Sequence, residues 1–339
     1  MPVYACRGTI VMRCRHPHSQ IGAARFCAAA HSVAVGGGGG RTSWSSIKTD
    51  RPRVTGLGKS MLARRLPSIL PSLSLEEALE TSAVYSSAGR LGGAALVRAR
   101  PFRAPHHDVS VAGLIGGGPV PRPGEISMAH NGVLFLDELL EFKRGALESL
   151  RQPIEEREVT VVRARASIRF PAAFALVAAM NPCPCGYAGS SARACVCDLG
   201  SIRRYQARLS GPLLDRFDLQ VLVPSVDFRM LSAGRRGDSS LVVRERVVEA
   251  RARQRRRLVG TALHCNAQLG VREIGRYCRL DERSHSLLAD LAERRGLSAR
   301  AVHRLLRVAR TLADLAGREE LTKVDVQAAV DFRLLDEQR

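Results

Sequence analysis

A short apolar run that ends in two carboxylates constrains this chain more than any other feature. Val133 to Leu136 contains no polar residue, and Asp137 and Glu138 follow it directly. Such a run is typical of a strand buried on both faces of a parallel sheet, and ligands bind at the carboxyl ends of such strands. There the Asp suits a magnesium ion and the Glu suits an attacking water in phosphoryl transfer. A core strand followed by a solvated acidic pair is the alternative.

A second motif, upstream, supplies the complementary chemistry. The end of a glycine-rich phosphate loop is present as Gly56, Gly58, Lys59 and Ser60. In such loops backbone N–H groups surround the phosphates, the lysine reaches the β- and γ-phosphates, and the hydroxyl binds Mg²⁺. Apolar residues at helical spacing follow, which predicts a helix whose N-terminus faces the anion. The full pattern, G-x-x-x-x-G-K-[ST], requires glycine where this chain has Arg53, so the loop is incomplete.

The charge balance favours a polyanionic partner. The 339 residues include 52 Lys and Arg against 32 Asp and Glu, which gives a formal net charge of +20. This excess suggests DNA or RNA, although a compositional preference for arginine is a second explanation. Aromatic residues make up 4% of the chain. Contact with the phosphate backbone is therefore favoured over base stacking.

Length and hydropathy bound the class of protein. A chain of 339 residues that is 45% hydrophobic can bury a sizeable core and form two domains. No apolar run is long enough to span a membrane, and the start of the chain has no clear signal peptide. We therefore expect a cytoplasmic protein with no membrane partner, in which the nine cysteines are reduced.

The sequence divides into four parts. Residues 1–50 show no sustained periodicity, and we expect a disordered or non-native leader, because a phosphate loop needs a strand to feed it. Residues 51–224 predict an α/β core with a parallel sheet. Residues 225–240 contain Gly and Ser and predict a linker. Residues 241–339 carry apolar residues at helical spacing and predict an all-helical domain.

Two stretches after the acidic pair predict further strands. Glu158 to Arg163 and Ala166 to Phe170 predict a β-hairpin with arginines on one side. Phe174 to Met180 predicts a second buried strand, which ends at Asn181. An amide at the end of a strand beside the Asp-Glu strand suits the orientation of a water molecule. A turn-forming Asn before proline is the alternative.

Histidines and cysteines were considered as metal ligands. Prolines near His106 and His107 exclude a helix interior, so we place this pair on a loop and favour packing or phosphate contact over metal binding. Two C-x-C pairs with nine residues between them suit a tetrahedral Zn²⁺ site. The four cysteines are Cys183, Cys185, Cys195 and Cys197. A redox pair or plain buried thiols are the alternatives.

Arginines in the second half of the chain leave two interpretations open. Arg216 could pair internally with Asp215 or Asp218, or reach a neighbouring subunit's nucleotide as an arginine finger. The basic run from Arg251 to Arg257 is either a solvated helix face, which we favour, or a surface that tracks phosphates. Ser298 is predicted to be the N-cap of the helix that follows it.

Four long motifs resemble one family, the magnesium-chelatase-like AAA+ ATPases of the YifB/ComM branch. The resemblance extends from about Gly56 to about Asp336 and rests on these stretches: Arg100 to His107, Pro123 to Glu138, Ala179 to Gly186 and Ser210 to Asp218. It implies a P-loop AAA+ core with a parallel sheet, followed by a helical lid. It also implies ATP and Mg²⁺ as cofactors, a hexameric ring and DNA as partner.

The resemblance also implies a role for each matching residue. Its Walker A loop corresponds to Gly56, Gly58, Lys59 and Ser60, its Walker B pair to Asp137 and Glu138, its sensor 1 to Asn181, its arginine finger to Arg216 and its sensor 2 to Arg300. The Arg-bearing hairpin matches the hairpin that such rings direct into their central pore. The chain departs from the family at Arg53, and residues 1–50 do not resemble the Lon-protease-like domain that precedes the core in that family. We therefore expect an N-terminally truncated or altered member.

Three functional hypotheses follow from these observations. The first is a DNA-stimulated ATPase motor, with branch migration or helicase activity during natural transformation and recombination. The second is a magnesium-chelatase-type subunit, against which the cysteine pairs and the basic charge argue. The third is a degenerate ATPase that only binds nucleic acid or oligomerises, and Arg53 is the residue in its favour.

Overall fold

The computed structural model shows an α/β core followed by a helical region, as the sequence predicts. It describes residues 8–13, 58–163, 166–189, 193–223, 238–261 and 263–333. Most of the predicted phosphate loop, including Arg53 and Gly56, and most of the predicted linker lie outside these ranges. No helix among the described residues is both long enough and apolar enough to cross a lipid bilayer.

Among the described residues, five strands form the central sheet, and two further pairs of strands lie outside it. The strands are β1 (Gly8–Arg13), β2 (Phe102–Arg103), β3 (Gly116–Gly117), β4 (Arg122–Pro123), β5 (Val133–Leu136), β6 (Glu158–Arg163), β7 (Ala166–Pro171), β8 (Ala175–Met180) and β9 (Leu219–Val223). The order in the sheet is β2-β5-β8-β1-β9. The β2–β5 and β5–β8 pairs are parallel, and β1 is antiparallel to both β8 and β9. Four strands therefore share one direction.

Strand β1 occupies an unexpected position. It lies within residues 1–50, where the sequence analysis assigned no secondary structure, and it separates β8 from β9. Thr9 pairs with Met180 on one side and with Leu222 on the other. The first helix of the core begins at Gly58, and residues 14–57 between them lie outside the described part of the chain.

The sheet is buried on both faces, as a run without polar alternation requires. Phe135 and Val177 belong to one hydrophobic cluster, which includes the first helix and the helical region. Leu134 and Leu176 belong to a second cluster on the opposite face, which includes the helices after β5. Gly132, at the start of β5, allows the close approach of β2, because a Cβ atom there would lie 2.1 Å from the carbonyl oxygen of Pro101.

The helices of the core surround this sheet. They are α1 (Gly58–Ile69), α2 (Leu75–Ser87), α3 (Val111–Ile115), α4 (Glu125–Met128), α5 (Arg144–Ser149), α6 (Arg151–Glu156), α7 (Leu199–Gln206) and α8 (Gly211–Leu214). Ser74 caps α2 with a reciprocal hydrogen-bond pair to Glu77. The predicted hairpin is confirmed as the β6–β7 pair, in which Val159 is opposite Phe170.

The helical region contains five α-helices among the residues described. They are α9 (Ser240–Arg257), α10 (Val271–Tyr277), α11 (Glu282–Arg294), α12 (Ala299–Leu315) and α13 (Lys323–Asp331). The predicted N-cap is confirmed, since Ser298 Oγ accepts a hydrogen bond from Ala301 N. The predicted solvated face is wrong for Arg251, which is 2% exposed and donates to Gln254. Arg251 lies beside the buried stripe of α9 that faces α1 and α12.

Candidate nucleotide site

The carboxyl ends of β5 and β8 bring three of the predicted side chains to one edge of the sheet. Asp137 and Glu138 follow β5, and Asn181 follows β8, the parallel neighbour of β5. Since adjacent parallel strands end on the same side, the acidic pair and the amide meet without any long connection. The edge is also where α1 begins, so the helix N-terminus faces the same space.

Lys59 and Ser60, in the first turn of α1, reach this edge directly. Lys59 Nζ donates to Asn181 Oδ1 at 2.6 Å and to the carbonyl oxygen of Met180 at 3.2 Å. Ser60 Oγ donates to Asp137 Oδ2 at 2.5 Å. These side chains line a cavity of about 200 Å³ together with Glu138. Five residues that the sequence placed far apart in the chain therefore share one small polar pocket.

The electrostatics of the pocket suit a bound polyphosphate. Burial lowers the pKa of Lys59, while the nearby carboxylates of Asp137 and Glu138 oppose that shift. A partly desolvated ammonium group gains strongly from a multiply charged anion, because the local dielectric is lower than that of water. The Ser60 hydroxyl and the Asp137 carboxylate offer oxygen ligands of the kind that Mg²⁺ prefers. The described residues therefore fit ATP with Mg²⁺.

Glu138 has an unusual backbone conformation. Its φ and ψ angles are 51° and 49°, in the left-handed region that few residues other than glycine adopt. Such a conformation costs on the order of 1 kcal/mol or more, and it occurs mainly where function fixes a side chain. The N–H of Glu138 donates to Asp137 Oδ1 at 3.0 Å, which stabilises the turn. Both acidic residues line the pocket.

One polar neighbour of Glu138 was not foreseen from the sequence. His107 Nδ1 lies 3.6 Å from Glu138 Oε2, and its ring packs edge-on against Phe142. His107 also forms a group with His106 and Asp108 whose ligand atoms lie within 4.8 Å of one another. The sequence analysis placed the histidine pair on a loop, and the structure adds Asp108 as an acidic neighbour of His106 at 3.2 Å. The contact between His107 and Glu138 could have been anticipated, because His107 follows β2 and Glu138 follows β5, its parallel neighbour in the sheet.

The two predicted arginines do not line this pocket. Arg216 follows α8 and forms an ion pair with Glu155 at 2.6 Å, with its guanidinium also donating to the carbonyl oxygen of Pro212. The sequence analysis considered Asp215 and Asp218 as its partners and did not identify Glu155. Arg300 lies exposed in the first turn of α12. Their roles in hydrolysis stay predictions.

The four cysteines of the two C-x-C pairs converge in space. Their sulfur atoms all lie within 4.8 Å of one another. Hydrogen bonding by the backbone N–H of Tyr187 lowers the pKa of Cys185 to about 6. We call the set Cys183, Cys185, Cys195 and Cys197 the cysteine cluster. Its donor set suits a borderline-soft metal ion.

The fold and the pocket together define a P-loop protein of the AAA+ class with a helical lid domain. Comparison with protein families supports a finer assignment. Residues 53–231 match the family described as magnesium chelatase, subunit ChlI. Residues 237–333 match the C-terminal domain of the same subunit. The chain belongs to the magnesium-chelatase-like AAA+ family.

Curated relatives agree with this assignment. A protein named YifB from Salmonella typhimurium is 47% identical over 283 residues, which are 83% of this chain and 54% of the relative. Competence protein ComM from Haemophilus influenzae is 46% identical over 282 residues, with the same shares of each chain. The Escherichia coli protein named YifB is 46% identical over 283 residues. The chain thus spans about half the length of these relatives.

Proposed function

We propose that this chain is an ATP-hydrolysing motor that acts on DNA. The observation that carries the proposal is the meeting of Lys59, Ser60, Asp137, Glu138 and Asn181 in one pocket. ATP and Mg²⁺ are the proposed cofactors, and zinc in the cysteine cluster is a further one.

Each residue of the pocket has a proposed role. Lys59 neutralises the phosphates, and Ser60 with Asp137 holds the magnesium ion, which supplies charge stabilisation when bound. Glu138 accepts hydrogen bonds from the attacking water and orients it. Asn181 fixes Lys59 through the 2.6 Å hydrogen bond and faces the same space. Gly56 and Gly58 belong to the proposed phosphate loop.

The remaining assignments require a second copy of the chain. Arg216 is proposed to act on the nucleotide of a neighbouring subunit, and Arg300 to contact the nucleotide from the lid. In that assembly Arg216 exchanges its internal partner, Glu155, for phosphate oxygens. A hexameric ring in the cytoplasm is the proposed form, as in AAA+ proteins generally.

DNA is proposed as the partner on grounds of charge and kinship. The net charge of +20 favours a polyanion. The hairpin β6–β7 is not part of the central sheet and carries the exposed residues Val162, Ile168 and Arg169. One relative is named for competence, which makes branch migration during uptake and integration of DNA the specific activity proposed.

Two further candidates remain for the test to decide. The family description names a magnesium chelatase subunit, so ATP-driven metal insertion into a tetrapyrrole is the second candidate. Arg53, at the position of a loop glycine, supports the third candidate, a protein that binds nucleic acid without hydrolysing ATP.

The test is ATP hydrolysis by the purified chain with and without single-stranded and forked DNA. We expect hydrolysis that DNA stimulates and that Lys59→Ala abolishes, because the mutation removes the cation of the pocket. DNA binding without hydrolysis above the Lys59→Ala background would contradict the motor. Stimulation by a porphyrin and not by DNA would favour the chelatase candidate.

A further inference from the structure

The cysteine cluster has the dimensions of a metal site. Three of its sulfur–sulfur distances are 3.3 Å for Cys183–Cys185, 3.7 Å for Cys183–Cys195 and 3.5 Å for Cys185–Cys195. A tetrahedral zinc ion with Zn–S bonds of about 2.3 Å separates its ligands by about 3.8 Å. A disulfide bond would require about 2.0 Å. The observed distances approach the first value and exclude the second.

The backbone around the cluster is arranged to support thiolate ligands. Ala188 N donates to Cys183 Sγ at 3.2 Å, and Cys197 N lies 3.4 Å from Cys195 Sγ as a donor. N–H groups that point at sulfur are the outer contacts that commonly orient metal-bound thiolates. Gly186 N donates to the carbonyl oxygen of Cys183 at 3.0 Å, which closes a turn around the first pair of cysteines, and the φ of 79° at Gly186 redirects the chain after that turn.

The cluster is attached directly to the nucleotide pocket. Asn181, whose Oδ1 accepts from Lys59 Nζ, is separated from Cys183 by Pro182 alone. Proline has a fixed φ angle, and its carbonyl oxygen accepts a hydrogen bond from Gln206 Nε2 at 3.1 Å. Two residues can span only about 7 Å. A displacement of Cys183 therefore displaces Asn181 as well, because the segment between them is short and restrained.

The other end of the cluster is fixed as well. Cys197 immediately precedes Asp198, which caps α7 through Ser201 N at 3.0 Å. Gln206, which holds Pro182, lies at the end of the same helix. The end of β8 and α7 are therefore linked twice, directly through the Gln206–Pro182 hydrogen bond and along the chain through the cysteine cluster.

We propose that the cysteine cluster binds one zinc ion per chain, and that this ion is a positioning element for Asn181 in the nucleotide pocket. The ion fixes the four cysteines between the end of β8 and α7. The amide of Asn181 therefore stays within hydrogen-bond distance of Lys59. The effect on hydrolysis rests on the proposed ATPase function, whereas the binding of zinc does not.

The first experiment measures the metal itself. Zinc is quantified by elemental analysis in the wild-type chain, in Cys195→Ser and in Cys265→Ala, which removes a buried thiol outside the cluster. We expect one zinc ion per chain in the wild type and in Cys265→Ala, and a large loss in Cys195→Ser. Cobalt substitution should give the charge-transfer and d–d absorption bands of a tetrahedral thiolate site. Wild-type protein purified without metal, and unable to take up cobalt, overturns the proposal.

The second experiment tests the link to Asn181 with a double-mutant cycle. The single variants Cys195→Ser and Asn181→Ala and the combined variant are compared in kcat and in their urea unfolding midpoints. We expect Cys195→Ser to lower kcat about ten- to a hundredfold, because displacements near 1 Å can cost that much. The loss should shrink markedly when Asn181 is already alanine, and the unfolding midpoints should be non-additive in the same sense.

The outcomes separate this proposal from the proposed function. Strict additivity in both measurements overturns the link, even if zinc is bound. Absence of hydrolysis in the wild type refutes the motor, and the unfolding cycle then decides the link alone.

Discussion

Asp314 offers the sharpest test of how the lid domain is held together. Its carboxylate is fully buried on α12 and accepts hydrogen bonds from Arg257, Arg310 and Asn266. Arg257 Nη1 and Asn266 Nδ2 lie 3.0 Å and 2.8 Å from Oδ2, and Arg310 Nη2 lies 3.1 Å from Oδ1. The Arg310 side chain is 1% exposed, and burial lowers its pKa. This buried guanidinium therefore depends on the Asp314 carboxylate for compensation of its charge.

We expect Asp314→Asn to lower the free energy of unfolding by about 3 kcal/mol. Removing one partner of a buried ion pair costs about 3–5 kcal/mol, because the other charge stays buried without compensation. Two terms favour the lower end of that range. Arg310 keeps its hydrogen bonds to the carbonyl oxygens of Arg318 and Glu319. An acidic residue near a helix C-terminus is also unfavourable by a few tenths of a kcal/mol, and the mutation removes it.

The assay is urea unfolding followed by circular dichroism, with Asp290→Asn as the matched control. Asp290 is exposed on α11, so the control should change stability by less than about 0.5 kcal/mol. A loss below about 1 kcal/mol for Asp314→Asn would refute the reasoning, since it would mean that water compensates the arginines.

Three further predictions concern the core and the caps. Glu138→Gln should abolish ATP hydrolysis while keeping binding of a fluorescent ATP analogue, because the carboxylate activates water and does not hold phosphate. Burial lowers the pKa of His130, whose Nδ1 accepts from Ala173 N, so the unfolded chain takes up a proton first as the pH falls. Its contribution to stability is complete above about pH 6.5 and is lost as the pH falls through the lowered pKa, and His130→Gln should flatten that dependence in unfolding titrations. Ser298→Ala should cost about 1 kcal/mol in urea unfolding by removing the cap of α12.

Each of these predictions has a contrary outcome. Hydrolysis by Glu138→Gln at half the wild-type rate or more would exclude Glu138 as the activating base. An unchanged pH slope in His130→Gln would place the responsible group elsewhere. For the cap, the exposed Ser286→Ala serves as control, and equal losses in the two serine variants would remove the capping argument.

The residues of the pocket were predictable because each lies in a short sequence pattern that indicates its own local structure. An apolar run predicts a buried strand, and parallel strands end at one edge, so Asp137 and Asn181 had to meet if their strands were neighbours. The Ser298 cap and the β6–β7 hairpin follow from equally local rules. Both are confirmed by the structure.

The features that were missed depend on tertiary contact. The pairing of Arg216 with Glu155 joins the turn after α8 to α6, and no periodicity in the sequence relates these two segments. Arg251 looked solvated within a basic run, yet its place beside the stripe Val243, Val247 and Gln254 buries it. Strand β1 was not predicted, because six residues are too few for a clear hydrophobic periodicity. Its strand partners, β8 and β9, also lie far along the chain.

The position of β1 has a consequence for how the chain acquires its structure. Among the described strands, β1 pairs with β8 and β9, and both of these partners are synthesised much later than β1 itself. Closing such long loops slows folding, and until then two strand edges stay open to other chains. Because β1 is inserted between β8 and β9, its arrival removes both edges at once. Aggregation during synthesis is therefore the hazard that this topology carries, and residues 8–13 are the segment whose late docking ends it.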